Sequence, residues 1–152
     1  MAHAPAHKPG GTTSQAAGLL IVRLCAGTFV FFFGLERASW LLDATPLLTQ
    51  LSVWLADAAP ASRWYLERIV PGAPVFARIV PMGSMVGGVA LALGFWTRMA
   101  AAVCLVMVLS LQLAAGSMFR YAYLSDANGL PLVGALLGLI IGGGKLPFSV
   151  RA

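Results

Sequence analysis

Acidic residues are scarce in this chain, five in 152 against ten lysines and arginines. None falls inside four long apolar stretches, roughly residues 16–35, 76–95, 99–118 and 129–143. That absence excludes a carboxylate pair for acid–base catalysis within a stretch, and an intramembrane proton relay built on Asp or Glu. Histidine is as thin: His3 and His7 both precede the first stretch, so no stretch offers an imidazole to a haem, a pigment or a metal. The two cysteines, Cys25 and Cys104, lie in different stretches. With no CxxC and no metal spacing they read as small apolar core residues. The basic residues are scattered, which removes the charged, aromatic-interleaved surface of a nucleic-acid binder. The GGGK at 142–145 follows a helical stretch, and no Ser or Thr follows Lys145, so it is not a phosphate-binding loop.

What the chain does have is hydrophobicity. Apolar residues make up 59% and charged ones 10%, with a mean hydropathy of +0.86, beyond the range of a soluble domain. A bilayer core of about 30 Å needs about 20 helical residues; the first three stretches fit and the last is short. Backbone polar groups in lipid must bond within their own segment, so these stretches are expected to be helices. The predicted architecture is all-α: a single four-transmembrane-helix domain over 16–152, preceded by a flexible tail at 1–15 that lacks the charged n-region of a signal peptide.

Between the first two spans lie about forty residues of another character. Thr45-Pro46 predicts a helix start, with a capping hydroxyl and a proline in the first turn. Leu47, Leu48, Leu51, Trp54, Leu55 and Ala58 recur at helical spacing opposite Thr49, Gln50, Ser52 and Asp57, and Pro60 is read as the end of that helix. Residues 62–70 form a second short candidate stopped by Pro71, with Trp64 and Tyr65 suited to headgroup level. Such an amphipathic, interfacial segment either caps the bundle or forms a docking face or lid over a lipid-like ligand. Phe95-Trp96-Thr97-Arg98 is short enough to demand an antiparallel hairpin, and Pro131 suits the first turn of the last helix.

Small residues mark where helices touch. Gly134, Gly138 and Gly142 recur at every fourth position of the last span, as do Gly83 and Gly87 in the second. Such rows let helix backbones approach closely, and a glycine-rich last helix is expected to be buried. Four spans put both termini on one side. That side carries Lys8, Arg98, Lys145 and Arg151, the other Arg37, Arg63, Arg68, Arg78 and Arg120, nearly even by the positive-inside rule. The expected location is a bacterial-type inner membrane, multi-pass, with cytoplasmic termini.

Arg23 is the one strongly charged residue well inside a span. At a helix centre an arginine costs about 2.5–3.5 kcal/mol on insertion scales. Seven residues from the start of the span it would lie only about 10 Å deep, within reach of the interface by snorkelling. It could also donate to Gln112, Ser110 or backbone carbonyls. Structural anchoring is one reading; a site for an anionic headgroup, a quinone carbonyl or a partner's carboxylate is the other, since guanidinium offers a fork of donors. Arg98, Gln112, Trp54 and Trp64 complete the set of candidate ligand- or partner-binding residues.

Three segments together carry a resemblance. LLIVRLCAGTFVFFFGLERASW at 19–40, GSMVGGVALALGFWTRMAA at 83–101 and GGGKLPFSV at 142–150 are similar to the DoxX family of small four-helix membrane proteins. Arg23, Gly27, Gly34 and Arg37 match its first helix. Gly88, Leu91, Gly94, Thr97, Arg98, Ala100 and Ala101 match its G-x-x-L-x-x-G-x-x-T-R-x-A-A stretch, and Lys145 and Ser149 its glycine-rich end. Two departures matter: Ser84 stands where members often carry a Glu, and Ser149-Val150-Arg151 replaces a closing Ser-Leu-Asp. Both remove acids that could pair with Arg23 and Arg98. The resemblance implies quinone-linked oxidoreduction or membership of a larger membrane complex.

Two functions therefore stand. One is a non-catalytic accessory subunit of a respiratory or photosynthetic electron-transfer complex, holding no cofactor of its own and contacting other membrane subunits, lipid, quinone or pigment at its helix surface. The other is the membrane subunit of a DoxD-type quinone-linked oxidoreductase in which Arg23 and Arg98 orient the substrate. A transporter would need a polar path, for which only Arg23, Ser84, Ser110 and Gln112 are available.

Overall fold

A computed structural model describes residues 11–119, 121–124, 126 and 128–142. His3, His7, Lys145 and Ser149 lie outside them. Among the described residues six α-helices follow one another: α1 Gly11–Glu36, α2 Thr45–Ala56, α3 Pro60–Ile69, α4 Ala73–Leu93, α5 Thr97–Ala114 and α6 Leu130–Gly142. No strand occurs among the described residues. Three segments are long and apolar enough to cross a membrane, Gln15–Glu36, Pro60–Leu93 and Thr97–Ala114, with Leu130–Gly142 a shorter apolar helix. This is an all-α membrane protein.

The long helices close into a ring: α1 packs on α4, α4 on α5, α5 on α6 and α6 back on α1. Their shared core holds Ala26, Val30, Leu91, Cys104, Val108, Leu132, Leu136 and Leu139. Outward they present Ile21, Phe32, Val86, Leu93, Val103, Val106 and Ile141, all exposed, as helices in contact with hydrocarbon should. Cys25 is also exposed and Cys104 is buried, so only the second is the core residue that the sequence suggested. A hydrophobic face serves equally against lipid and against a neighbour, which is why an apolar cysteine could not be assigned to either.

The segment after α1 builds a second core. A 3-10 turn over Ala38–Leu41 precedes α2 and α3. Trp40, Leu47, Leu51, Leu66 and Ile69 close over Ala73, Ala77, Val80 and Ala114 at the end of α4 and α5. The amphipathic helices therefore cap one end of the ring. Thr45 is the first residue of α2 and not its cap: Ala44 stands at the cap with no side-chain bond, and the Asp43 carboxylate before it accepts from the Thr45 amide at 2.9 Å and the Thr45 hydroxyl at 2.6 Å. Pro60 opens α3 as well as following α2, since a proline in the first turn forfeits no helical bond. Pro71 does mark the end of α3, which stops at Ile69, but Val70–Gly72 forms one 3-10 turn that leads straight into α4. Likewise α1 begins at Gly11, inside the expected tail.

Candidate functional site

Apart from Ser84, buried midway along α4, the polar side chains buried among the described residues gather at the two ends of the molecule. At the end where α4 turns into α5, Gly94 closes α4 with φ +76°. The Gly94 amide donates to Leu91 and the Phe95 amide to Ala90, a Schellman close that favours glycine at the left-handed position. Trp96 follows, also left-handed at φ 44°, its ring stacked on Phe95. Arg23 lies beneath this turn. A Cβ on Gly94 would stand 2.4 Å from its Nη1, so the missing side chain makes room for the guanidinium. The residue is 3% exposed, its guanidinium enclosed by the protein beneath the turn at the end of the bundle. Its Nε and Nη1, together with the buried Thr97 hydroxyl, find no hydrogen-bond partner among the described residues. Arg98 is employed, donating from Nη2 to the Ile141 carbonyl at 3.1 Å and so tying the start of α5 to the end of α6.

At the opposite end a pocket of about 150 Å³ opens between the ring and its cap. Phe33, Trp54, Val108 and Leu111 wall it, and Arg37, Gln112, Ser117, Asp126 and Asn128 bring polar atoms to it. Arg37 donates to the Phe33 carbonyl at 3.0 Å, lies 3.8 Å from Glu36, and sits over the Phe33 ring with 3.7 Å to its centroid. Burial lowers its pKa and Glu36 partly opposes that; a guanidinium stays charged nonetheless. Gln112, 7% exposed, donates from Nε2 to the Asn128 carbonyl, which fixes its orientation. Its Oε1, and the Oδ1 of Asn128, are buried without a partner.

The sequence candidates thus divide. Gln112 and Trp54 meet in the pocket. Arg23 and Arg98 stand at the far end, which rules out the Arg23–Gln112 bond that proximity in an apolar span suggested; Ser110 is also taken, donating to Met107 at 2.8 Å. Trp64 joins neither group: it is 60% exposed, with the Arg68 guanidinium 4.7 Å from its ring centroid. Arg37, Asp126 and Asn128 were missed as site residues. Arg37 entered only in the charge count and as a family match, and the other two come from the segment after α5 that folds back over its end. The readable signal was Gln112, an amide in the last turn of an apolar helix.

The glycines divide too. A Cβ on Gly88 would lie 2.5 Å from the Phe31 nitrogen, on Gly27 2.8 Å from the Ala92 nitrogen, and on Gly34 2.9 Å from the Pro81 carbonyl oxygen. Gly83 and Gly87 face Met107 and Cys104 across the α4–α5 seam. Gly142 abuts Leu19, but Gly134 and Gly138 meet nothing within 4 Å. Two of the three glycines in the last row thus lie on an open face of α6, contrary to the burial expected, because the ring already closes through the Leu132, Leu136 and Leu139 face.

No group of three His, Cys, Asp or Glu side chains suited to a metal occurs among the described residues. A family model described as DoxX matches residues 18–117. No curated protein matches the chain, and no solved structure does.

Proposed function

The chain belongs to the DoxX family, and from that footing we propose that it is a non-catalytic accessory subunit of a larger membrane electron-transfer complex. The complex is respiratory or photosynthetic and sits in a bacterial-type inner membrane, with both termini of this chain cytoplasmic. The observation that carries the subunit reading is the open row at Gly134 and Gly138. Helices in lipid associate through close backbone approach at small residues. Inside this chain such residues are consumed by neighbours that an added Cβ would meet at 2.2–2.9 Å, whereas α6 keeps its row for a helix from another subunit. The electron-transfer role rests on the family resemblance. Lipid, quinone or pigment then belongs to the surface shared with the partner.

Gentle detergent extraction from the native membrane, followed by mass spectrometry and an absorption spectrum of the intact particle, tests this. The expected particle is large and bears haem, chlorophyll or flavin on other chains. The variant G134L/G138L should insert normally and be lost from that particle. Recovery of the wild-type chain alone, or in a homo-oligomer, ends the subunit reading.

A second reading is the membrane subunit of a DoxD-type quinone-linked oxidoreductase, favoured by the unpartnered Nε and Nη1 of Arg23 and the hydroxyl of Thr97. Unpartnered guanidinium and hydroxyl donors suit an acceptor such as a quinone carbonyl or a carboxylate. Arg23→Leu separates the two: turnover lost with assembly intact favours the oxidoreductase, and loss of assembly favours the anchor.

A further inference from the structure

The pocket between the ring and its cap lies where two spans end. Its walls come from the last turns of Gln15–Glu36 and Thr97–Ala114, from α2 and from the segment after α5. In a bilayer that is the level of the lipid headgroups, where Trp54 in the wall is also at home. Phe33, Val108 and Leu111 make the rest of the apolar side. The space is about 150 Å³, and a cavity of that order accepts one benzene, so whatever enters is a small head and not a sugar.

Both signs of charge face this space without cancelling there. Arg37 and Asp126 line the same pocket, yet among the described residues Arg37 comes within ion-pair distance of Glu36 alone. The Nη1 of Arg37 is taken by the Phe33 carbonyl, which leaves Nε and Nη2 as free donors, a fork suited to an anion. On the acceptor side stand the Asp126 carboxylate, the Oε1 of Gln112 and the Oδ1 of Asn128, the two amide oxygens buried and unpartnered. Gln112 cannot turn its oxygen away, because its Nε2 is held by the Asn128 carbonyl. The Nδ2 of Asn128 is a further free donor, so that amide serves either sign. Carboxylate and amide oxygens together suit a cation that donates hydrogen bonds, and a buried acceptor left unpaired discriminates against one that does not. A primary ammonium brings three donors; a quaternary ammonium brings none.

We propose that this pocket binds a phosphoethanolamine group, its primary ammonium donating to Gln112, Asn128 and Asp126 and its phosphate held by Arg37. The assignment goes beyond the accessory-subunit reading and stands whether or not the α6 row has a partner. Two sources carry this chemistry, the head of phosphatidylethanolamine and the free phosphomonoester.

The full-length protein, delipidated in dodecyl maltoside, serves for native mass spectrometry titrations with dioleoyl phospholipids. The probes are phosphatidylethanolamine, its N-methyl and N,N-dimethyl derivatives, phosphatidylcholine and phosphatidylglycerol. Affinity should fall with each added methyl, by about tenfold in all between ethanolamine and choline, the factor expected of a hydrogen bond to a buried acceptor. Phosphatidylglycerol has hydroxyls to donate but no positive charge for Asp126, and it should also bind about tenfold more weakly than phosphatidylethanolamine. Gln112→Leu should erase the preference for ethanolamine over choline. Asp126→Asn, at an exposed residue, should narrow the gap between ethanolamine and glycerol heads. O-phosphoethanolamine binding to the lipid-free protein, and lost in Gln112→Leu, identifies the free source; binding by the phospholipid alone identifies the bilayer source. Equal affinity for ethanolamine and choline heads, or phosphatidylglycerol binding as tightly as phosphatidylethanolamine, overturns the proposal. If Gln112→Leu does not fold, the methyl series and Asp126→Asn decide alone.

Discussion

Helix α4 and helix α6 carry the same sequence signal and use it differently. Each has glycines four residues apart, Gly83 and Gly87 in one, Gly134, Gly138 and Gly142 in the other. On α4 the spacing is spent inside the chain: Gly83 and Gly87 receive the side chains of Met107 and Cys104, and the adjacent Gly88 receives the backbone of α1. On α6 a Cβ at Gly134 or Gly138 would meet open space. A row of small residues states that a close approach is possible, and the topology decides what approaches. Here α1 and α5 already flank α4, while α6 turns its leucine face inward and leaves the glycines outside.

Gly88→Leu should strike hardest. The added Cβ falls 2.5 Å from the Phe31 nitrogen and 2.7 Å from the Gly27 carbonyl oxygen, so backbone and not a side chain must move. Overpacking typically costs about 1–3 kcal/mol, and a rigid backbone neighbour puts this case at the upper end. A lowered thermal midpoint in detergent and poor recovery of folded protein are the readouts. Unchanged stability would mean that α1 and α4 are less closely packed than the seam requires.

Gly94→Ala comes next. The left-handed conformation costs a residue with a Cβ roughly 1–2 kcal/mol, and the same Cβ crowds the Arg23 guanidinium at 2.4 Å. A double-mutant cycle with Arg23→Ala divides the loss. The part caused by crowding should vanish in the double variant, and the backbone part should persist. If the two losses simply add, Arg23 does not lie under the turn. Gly138→Leu should do far less to the isolated chain, a change within about 1 kcal/mol and of favourable sign by helix propensity. Its effect should appear in assembly, which inverts the α4 result.

Much of this arrangement could be read in advance, and the unread part has a common cause. Apolar runs of about 20 residues identified the three long helices, and Arg23 stood out by its charge, though its place beneath the Gly94 turn could not be read. The cap was legible as two amphipathic helices because Leu47, Leu51, Leu66 and Ile69 recur at helical spacing. Its joints were not. Proline ends a helix and begins one with equal ease: Pro60 was read as an end where it also starts α3, and beyond Pro71, where α3 stops, the chain runs on through one 3-10 turn into α4. The pocket escaped for a different reason: Gln112, Arg37 and Asn128 lie far apart in sequence and meet only when the segment after α5 folds back. Helical periodicity assigns a residue to a face but is silent about what that face meets. The same silence explains Cys25, Gly134 and Gly138, all placed inside from sequence and all found outside.

The smallest predicted effect lies outside both glycine rows and sharpens the contrast by its mildness. Asp43 is fully exposed, and bonds from the Thr45 hydroxyl and amide hold its carboxyl below the ordinary value. A carboxylate with a depressed folded value stabilises above the unfolded pKa of about 3.9 and ceases to do so as pH falls through the folded one. Protonation should therefore loosen the start of α2 in acid without opening the ring, whose described core contains no carboxylate. The protection of the Thr45 amide, its exchange taken relative to the intrinsic rate at the same pH, should fall as the pH drops below the carboxylate range. Asp43→Ala should show the lowered protection at neutral pH, with protection in α4 and α5 unaltered. Loss of protection spreading to Leu91 or Cys104 would show that cap and ring unfold together, and the division of the molecule into two cores would then be geometric only, with one cooperative unit beneath it.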